Sequence, residues 1–206
     1  MTKLIIFDLD GVLVDAKEIH YQALNQALSN IDSKYIINRE EHLSQYDGNP
    51  TTTKLKMLSQ QKGLPYELHD KVWEDKQNIT LEMINKLEKD ERIIKVLKQL
   101  VKDGYILCCA TNSVRHSATV QLTRRGFMEH LEFIFTNQDV VNPKPNTEIY
   151  LRCMVKAGVS PKETIILEDS ELGRRGAKET GSPVLEIESS KDITYDNITN
   201  FIQNVK

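Results

Sequence analysis

From Arg92 onward the chain repeats one pattern four times: a helical stretch stopped at a glycine, then a short apolar run. Helix 93–102 stops at Asp103-Gly104 before strand 105–110, and helix 114–125 stops at Gly126 before strand 132–135. Helix 146–157 stops at Gly158 before strand 164–167, and helix 171–180 stops at Gly181 before strand 183–187. Glycine ends helices because it takes the left-handed conformation that closes the last turn. Regular alternation of this kind demands a parallel sheet with helices on both faces. The run Leu4-Ile5-Ile6-Phe7 is uninterrupted apolar, as a strand covered on both faces requires, and so joins the same sheet. Between Asp15 and about Lys89 the pattern is helical instead. Ala16 to Leu28 puts Ile19, Ala23, Leu24, Ala27 and Leu28 on one face. A second helix begins near Asn38, and a third runs from Thr52 to Lys62 before Gly63 and Pro65. A fourth starts near Tyr66, carries Leu68, Val72, Trp73 and Lys76, and continues toward Leu87. A short last helix follows Tyr195. The first strand therefore belongs to the later α/β core, and an all-α block is inserted behind it.

The 206 residues suit one medium core plus an insertion, or one large α/β domain. A net charge of −3 gives no electrostatic case for nucleic acid or an anionic membrane as partner. No apolar stretch has the length of a membrane span, and a strand that begins within three residues predicts no signal peptide. Cys108 and Cys109 are neighbours on a strand and point to opposite faces; Cys153 falls on a helix. Without metal-ligand spacing the three read as buried, reduced thiols, and the expected compartment is cytoplasmic.

Chemistry gathers at the strand ends. Asp8 and Asp10 follow the first strand, and ligands of open parallel sheets bind beyond such carboxyl ends. Two residues apart on an extended chain, the acids point to one side, and Gly11 lets the backbone turn away. The same residues also read as a plain Asp-Gly turn. Strand 105–110 delivers Thr111-Asn112-Ser113 to a helix start, which suits a phosphate cradle or simply an N-cap at Ser113. Strand 164–167 ends in Glu168-Asp169-Ser170, again acids that suit a helix dipole. If the first and fourth strands are neighbours, up to four carboxylates converge, and a divalent cation such as magnesium relieves their repulsion. Lys144 lies between Pro143 and Pro145, held either as a fixed cation beside these acids or as a surface turn.

Taken in order, FDLDGVLVD, CCATNS, NPKPNTEIY and LEDSELG resemble the motif set of the haloacid dehalogenase superfamily of phosphotransferases, over almost the whole chain. The helical block resembles that family's cap. The resemblance implies a Rossmann-like parallel-sheet core of residues 1–14 and 90–206 with an inserted all-α cap domain of residues 15–89. It implies Asp8 as nucleophile and Asp10 as general acid and base, with a pKa raised by crowded acidic neighbours. Thr111 and the backbone of Asn112 would hold the phosphoryl oxygens, with Ser113 beside them, and Lys144 would pair with Asp8 and the phosphate. Magnesium would be held by Asp8, the carbonyl oxygen of Asp10 and Asp169, with Glu168 close by.

The branch that looks closest contains small-molecule phosphatases and beta-phosphoglucomutase. There His20 occupies a position facing the site, and Tyr46 to Thr51 resembles the substrate-facing cap loop. Mutases carry an arginine in that loop, yet no arginine lies between Glu40 and Glu91, which leaves Lys54 and Lys76 as replacements. Ala16 stands where a hydroxyl residue is usual. The presence of Asp10 argues against a dehalogenase, and a phosphonate hydrolase would need Lys54 as an amine nucleophile. The expected activity is a magnesium-dependent phosphatase acting on a small phosphorylated metabolite, a sugar phosphate or nucleotide, through an aspartyl-phosphate. A sugar-phosphate mutase is the alternative enzyme, and a non-catalytic binding protein on the same fold the alternative of another class. Oligomeric state is not legible.

Overall fold

The computed structural model describes residues 1–205, and among these the sheet has five strands, all parallel, in the order β3-β2-β1-β4-β5. The strands are β1 (Leu4–Phe7), β2 (Ile106–Ala110), β3 (Phe133–Phe135), β4 (Thr164–Glu168) and β5 (Val184–Glu186). β1 is central, and all four of its side chains are buried. Its alternating side chains serve two layers. Ile5 and Phe7 join Leu107, Cys109, Ile165 and Leu167 against helices α5 (Glu91–Lys102), α6 (Arg115–Arg125) and α9 (Tyr195–Asn204). Leu4 and Ile6 join Cys108, Ala110 and Ile166 against α7 (Glu148–Ala157) and α8 (Glu171–Glu179). Each fully buried large apolar side chain of this kind is worth about 1.5–3 kcal/mol, so one continuous apolar strand stabilises both faces at once. Cys108 and Cys109 do face opposite layers, and all three thiols are free and buried.

Between β1 and β2 lie α1 (Lys17–Ser29), α2 (Arg39–Glu41), α3 (Thr51–Lys62) and α4 (His69–Ile84). Of these, α1, α3 and α4 share a separate apolar cluster that includes Leu24, Leu28, Leu55, Leu58 and Val72. α3 ends at Gly63 with φ 70°, the left-handed closure expected of that residue. Two helices differ from expectation. The one beginning behind Asn38 has only three regular residues, held by a reciprocal Asn38–Glu41 capping box, and then widens into a π-type turn over His42–Tyr46. α4 starts at His69, behind a 3-10 turn over Tyr66–Leu68, and stops at Ile84. It does not reach Leu87, because Lys86 and Leu87 donate to carbonyls three residues back in a tight turn and Leu87 packs on the sheet-side core. Asp90 then caps α5 through bonds to the N–H groups of Arg92 and Ile93.

Register sets the ends of the strands level. Phe7 lies opposite Cys109 on one side and Leu167 on the other, and the Asp8 N–H donates to the Leu167 carbonyl at 3.0 Å. Asp8, Thr111 and Glu168 therefore leave the sheet along one edge, beneath helices α1, α3 and α4.

Candidate active site

Asp8 is buried, and its Oδ1 accepts from Lys144 Nζ at 2.5 Å. The same ammonium donates to Glu168 Oε2 at 2.7 Å, so one lysine serves two carboxylates. Lys144 is itself buried and lies 5.0 Å from the centre of the Tyr150 ring. Its position is held by Asn112, whose side-chain carbonyl accepts from the Lys144 N–H while its amide donates to the Lys144 carbonyl. That same amide donates to the Gly48 carbonyl at 3.1 Å, which ties the loop between α2 and α3 to the sheet edge.

Glu168 is saturated with donors. Oε2 also takes the Tyr150 hydroxyl at 2.8 Å, and Oε1 takes the N–H groups of Asp169 and Ser170 and the Ser170 hydroxyl. Burial alone would raise its pKa, but Lys144 and these bonds hold it below the ordinary value. Asp8 shifts the other way: burial and the Glu168 charge push it well up, against the pull of Lys144. The lysine is raised by the two carboxylates despite its burial.

Asp169 completes a cluster in which Asp8, Glu168 and Asp169 each offer an oxygen within 4.8 Å of the others. Burial and Glu168 raise its pKa to about 6. Both of its carboxylate oxygens are buried without a hydrogen-bond partner among the described residues, although the Lys17 ammonium makes an ion-pair contact with it. Lys17 also reaches Asp47 at 3.4 Å. An all-oxygen donor set, orphaned carboxylate atoms and a side-chain cation drawn into them are what a hard divalent ion requires. The residues present fit such an ion.

Asp10 does not join that cluster. Gly11 takes φ 106°, where a Cβ would run into Asp169 and Lys17, and the turn carries the Asp10 carboxylate elsewhere. Three carboxylates converge, not four. Asp10 instead accepts from His20 Nε2 at 3.0 Å, Gln121 Nε2 at 3.2 Å and the Ser113 hydroxyl at 2.5 Å. Burial would raise its pKa, but His20 and these hydrogen bonds hold it well below the ordinary carboxylate range, the reverse of the expected rise. Lys76 Nζ donates to His20 Nδ1 at 3.2 Å, so the imidazole proton lies on Nε2, toward Asp10. Burial, with help from the nearby Lys76, lowers the His20 pKa against the pull of Asp10.

Ser113 is thus no N-cap; Val114 occupies that position without a side-chain cap. Thr111 is buried, and its hydroxyl accepts from the Ser113 N–H at 3.0 Å, which shapes the loop. Ser170 does cap α8, accepting from the Gly173 N–H at 3.1 Å. A cavity of about 100 Å³ joins these groups to the helical layer, where Lys54 and Lys76 line it. Burial lowers Lys54 to about 8 and Lys76 to about 7. The structure adds Lys17, His42, Gln121 and Tyr150, which sequence reading missed, and brings in Asp47 from the cap loop that it had singled out. Of the missed residues only Tyr150 carried a signal, as the buried end of NPKPNTEIY.

The haloacid dehalogenase-like hydrolase profile matches residues 5–187. The chain belongs to that family. Among relatives, a phosphorylated carbohydrates phosphatase of Thermotoga maritima is 25% identical over 86% of this chain and 81% of its own length. The fructose-1-phosphate phosphatase YqaB of Escherichia coli is 22% identical over 89% of this chain and 95% of its own. Among solved structures, a beta-phosphoglucomutase from Clostridium difficile superimposes with a TM-score of 0.85 over 99% of this chain and 98% of its own, at 19% identity, a likeness of fold. Among the described residues no helix is long and apolar enough to cross a membrane.

Proposed function

We propose that the enzyme is a magnesium-dependent phosphatase of a small phosphorylated metabolite, a sugar phosphate above all, with residues 1–14 and 90–206 as catalytic core and 15–89 as cap. The observation that carries this reading is the Asp8–Lys144 ion pair at the sheet edge, within a carboxylate cluster and on a cavity that Asp10 also lines. The sugar-phosphate phosphatases among the relatives favour the same substrate class.

Lys144 engages Asp8 Oδ1 and leaves Oδ2 without a hydrogen bond among the described residues. That oxygen attacks phosphorus; the new bond gives an aspartyl-phosphate, and the ester bond to the leaving oxygen breaks. Asp10 protonates the leaving oxygen and, as a carboxylate once more, takes a proton from the water that cleaves the acyl phosphate. In the empty site three donors keep Asp10 ionised. Approach of a phosphate dianion raises its proton affinity, and the Lys76–His20–Asp10 chain offers a route for the proton. Thr111, the Asn112 backbone and Lys144 would receive the phosphoryl oxygens. A magnesium ion held by Asp8, Asp169 and the Asp10 carbonyl, with Glu168 behind, would offset the acids so that a dianion can approach.

The test is phosphate release from a panel of sugar phosphates and nucleotides, with magnesium and with chelator, by wild type and Asp8→Asn. Metal-dependent release that falls by at least about 10³-fold in the variant is expected. Release unchanged in Asp8→Asn contradicts the nucleophile. Conversion in which all phosphate stays organic indicates the mutase.

A further inference from the structure

We propose that Gln121 is a positioning residue: from the sheet layer it holds the Asp10 carboxylate in its working direction, and so sustains the step in which water cleaves the aspartyl-phosphate. This rests on the phosphatase reading and assigns a residue to one step of it.

Gln121 lies on α6 and is fully buried, with Ala118 and Leu122 of the same helix in the apolar cluster behind the sheet. Its Nε2 donates to Asp10 Oδ1 at 3.2 Å, the side chain's only hydrogen bond among the described residues. Its Oε1 is buried and has no partner among them. A buried amide oxygen without a donor is costly, and leucine or methionine would fill the same space without that cost. Turning the amide over would set its oxygen against the carboxylate, so the donor end is fixed toward Asp10. Asp10, His20 and Ser113 line the cavity, but Gln121 does not, so a ligand there meets Asp10 and not the amide. Gln121 acts through Asp10.

The donors to Asp10 divide between the two layers. His20 comes from α1, and Lys76, which donates to it, comes from α4. Both belong to the helical layer, whereas Ser113 follows β2 and Gln121 lies on α6. Oδ1 takes His20 and Gln121, and Oδ2 takes Ser113. Admitting water to the aspartyl-phosphate requires the helical layer to part from the sheet, and His20 leaves with it. Gln121 then remains as the donor on Oδ1, with Ser113 on Oδ2, so both oxygens stay fixed from the sheet side. A base must point at its water to take the proton. In that step the water oxygen bonds to phosphorus, the bond from phosphorus to the Asp8 oxygen breaks, and the water proton passes to Asp10.

The experiment follows p-nitrophenyl phosphate with magnesium by stopped flow in wild type, Gln121→Met, Gln121→Leu and Asp10→Asn. Nitrophenolate leaves without a proton, so the fast phase reads formation of the aspartyl-phosphate and the steady phase reads its hydrolysis. In both Gln121 variants the steady rate should fall about tenfold or more, while the fast rate stays within about threefold of wild type. Thermal midpoints near the wild-type value are expected, since one lost hydrogen bond is set against one removed orphan oxygen. Fast and steady rates that fall together, variants that do not fold, or a steady rate within about threefold of wild type overturn the proposal. Asp10→Asn separates the two levels. Hydrolysis slowed in Asp10→Asn but not in the Gln121 variants leaves the phosphatase reading standing without this proposal, and hydrolysis unslowed in Asp10→Asn removes both.

Discussion

The titrating side chains of this site pull in opposite directions according to their partners. Asp10, with three donors, stays ionised; Asp8, sharing one lysine with Glu168, is left short of positive charge. That contrast was not legible in FDLDG, because it depends on His20, Ser113 and Gln121, which lie 10, 103 and 111 residues away. Lys17 occupies the acidic cluster as a competing cation, so Lys17→Met should tighten magnesium binding, by roughly tenfold for one removed charge near the ion. Calorimetry of the metal titration checks this, and weaker binding in the variant would show Lys17 to be support instead. The lysines give a pH signature. Lys54 near 8 faces Asp47, Asp10 and His42; Lys76 near 7 faces His20, Lys54 and Asp10. Both lose charge as pH rises through 7–9, so affinity for a phosphorylated ligand should fall across that range. Stability of the ligand-free protein runs the other way. Between each folded value and the ordinary 10.5 the unfolded chain binds more protons, so these two groups make stability rise with pH across that window. Thermal midpoints of wild type against Lys54→Met, from pH 7.5 to 9.5, would show the rise diminished in the variant.

Elements place these residues through a few close approaches. α8 begins so near the end of β4 that a Cβ on Gly173 would strike the Glu168 carboxylate. Gly173→Ala should therefore cost about 1–3 kcal/mol through overpacking. Urea unfolding reads it as a lower midpoint at unchanged slope, and an unaltered midpoint would mean that the helix start yields. Strand runs and glycine stops were plain in the sequence because continuous apolar patterning leaves a buried parallel strand few alternatives. The π-type turn over His42–Tyr46 and the early end of α4 were not, since both answer to contacts distant in the chain. Lys54 and Lys76 stood out in the sequence as replacements for a cap-loop arginine, but their burial was not legible, since lysines on amphipathic helices ordinarily face water. Their burial comes from how α3 and α4 sit over the sheet edge.

At the scale of the whole molecule, the sheet edge and the helical layer enclose a cavity of about 100 Å³, below the about 300–1,000 Å³ usual for small-molecule sites. A phosphorylated sugar then requires the helical layer to lift from the sheet and close again. Asn112 bridges the two through Gly48 and Lys144, so Asn112→Ala should favour the lifted form. Its amide exchange at Gly48 and Asn49 should quicken, and exchange unchanged from wild type would place the tie elsewhere. The order of motifs along the chain made the family readable from sequence, while the match between the two walls of the cavity became readable only in three dimensions. The central claim is that Asp8 carries the phosphoryl group. The most direct test uses Asp10→Asn with magnesium and p-nitrophenyl phosphate, whose leaving group needs no proton. The account predicts a burst of about one nitrophenolate per enzyme, little turnover after it, and a phosphoryl group found by mass spectrometry on the peptide containing Asp8. Steady turnover without such a species, or the label on another residue, would contradict it.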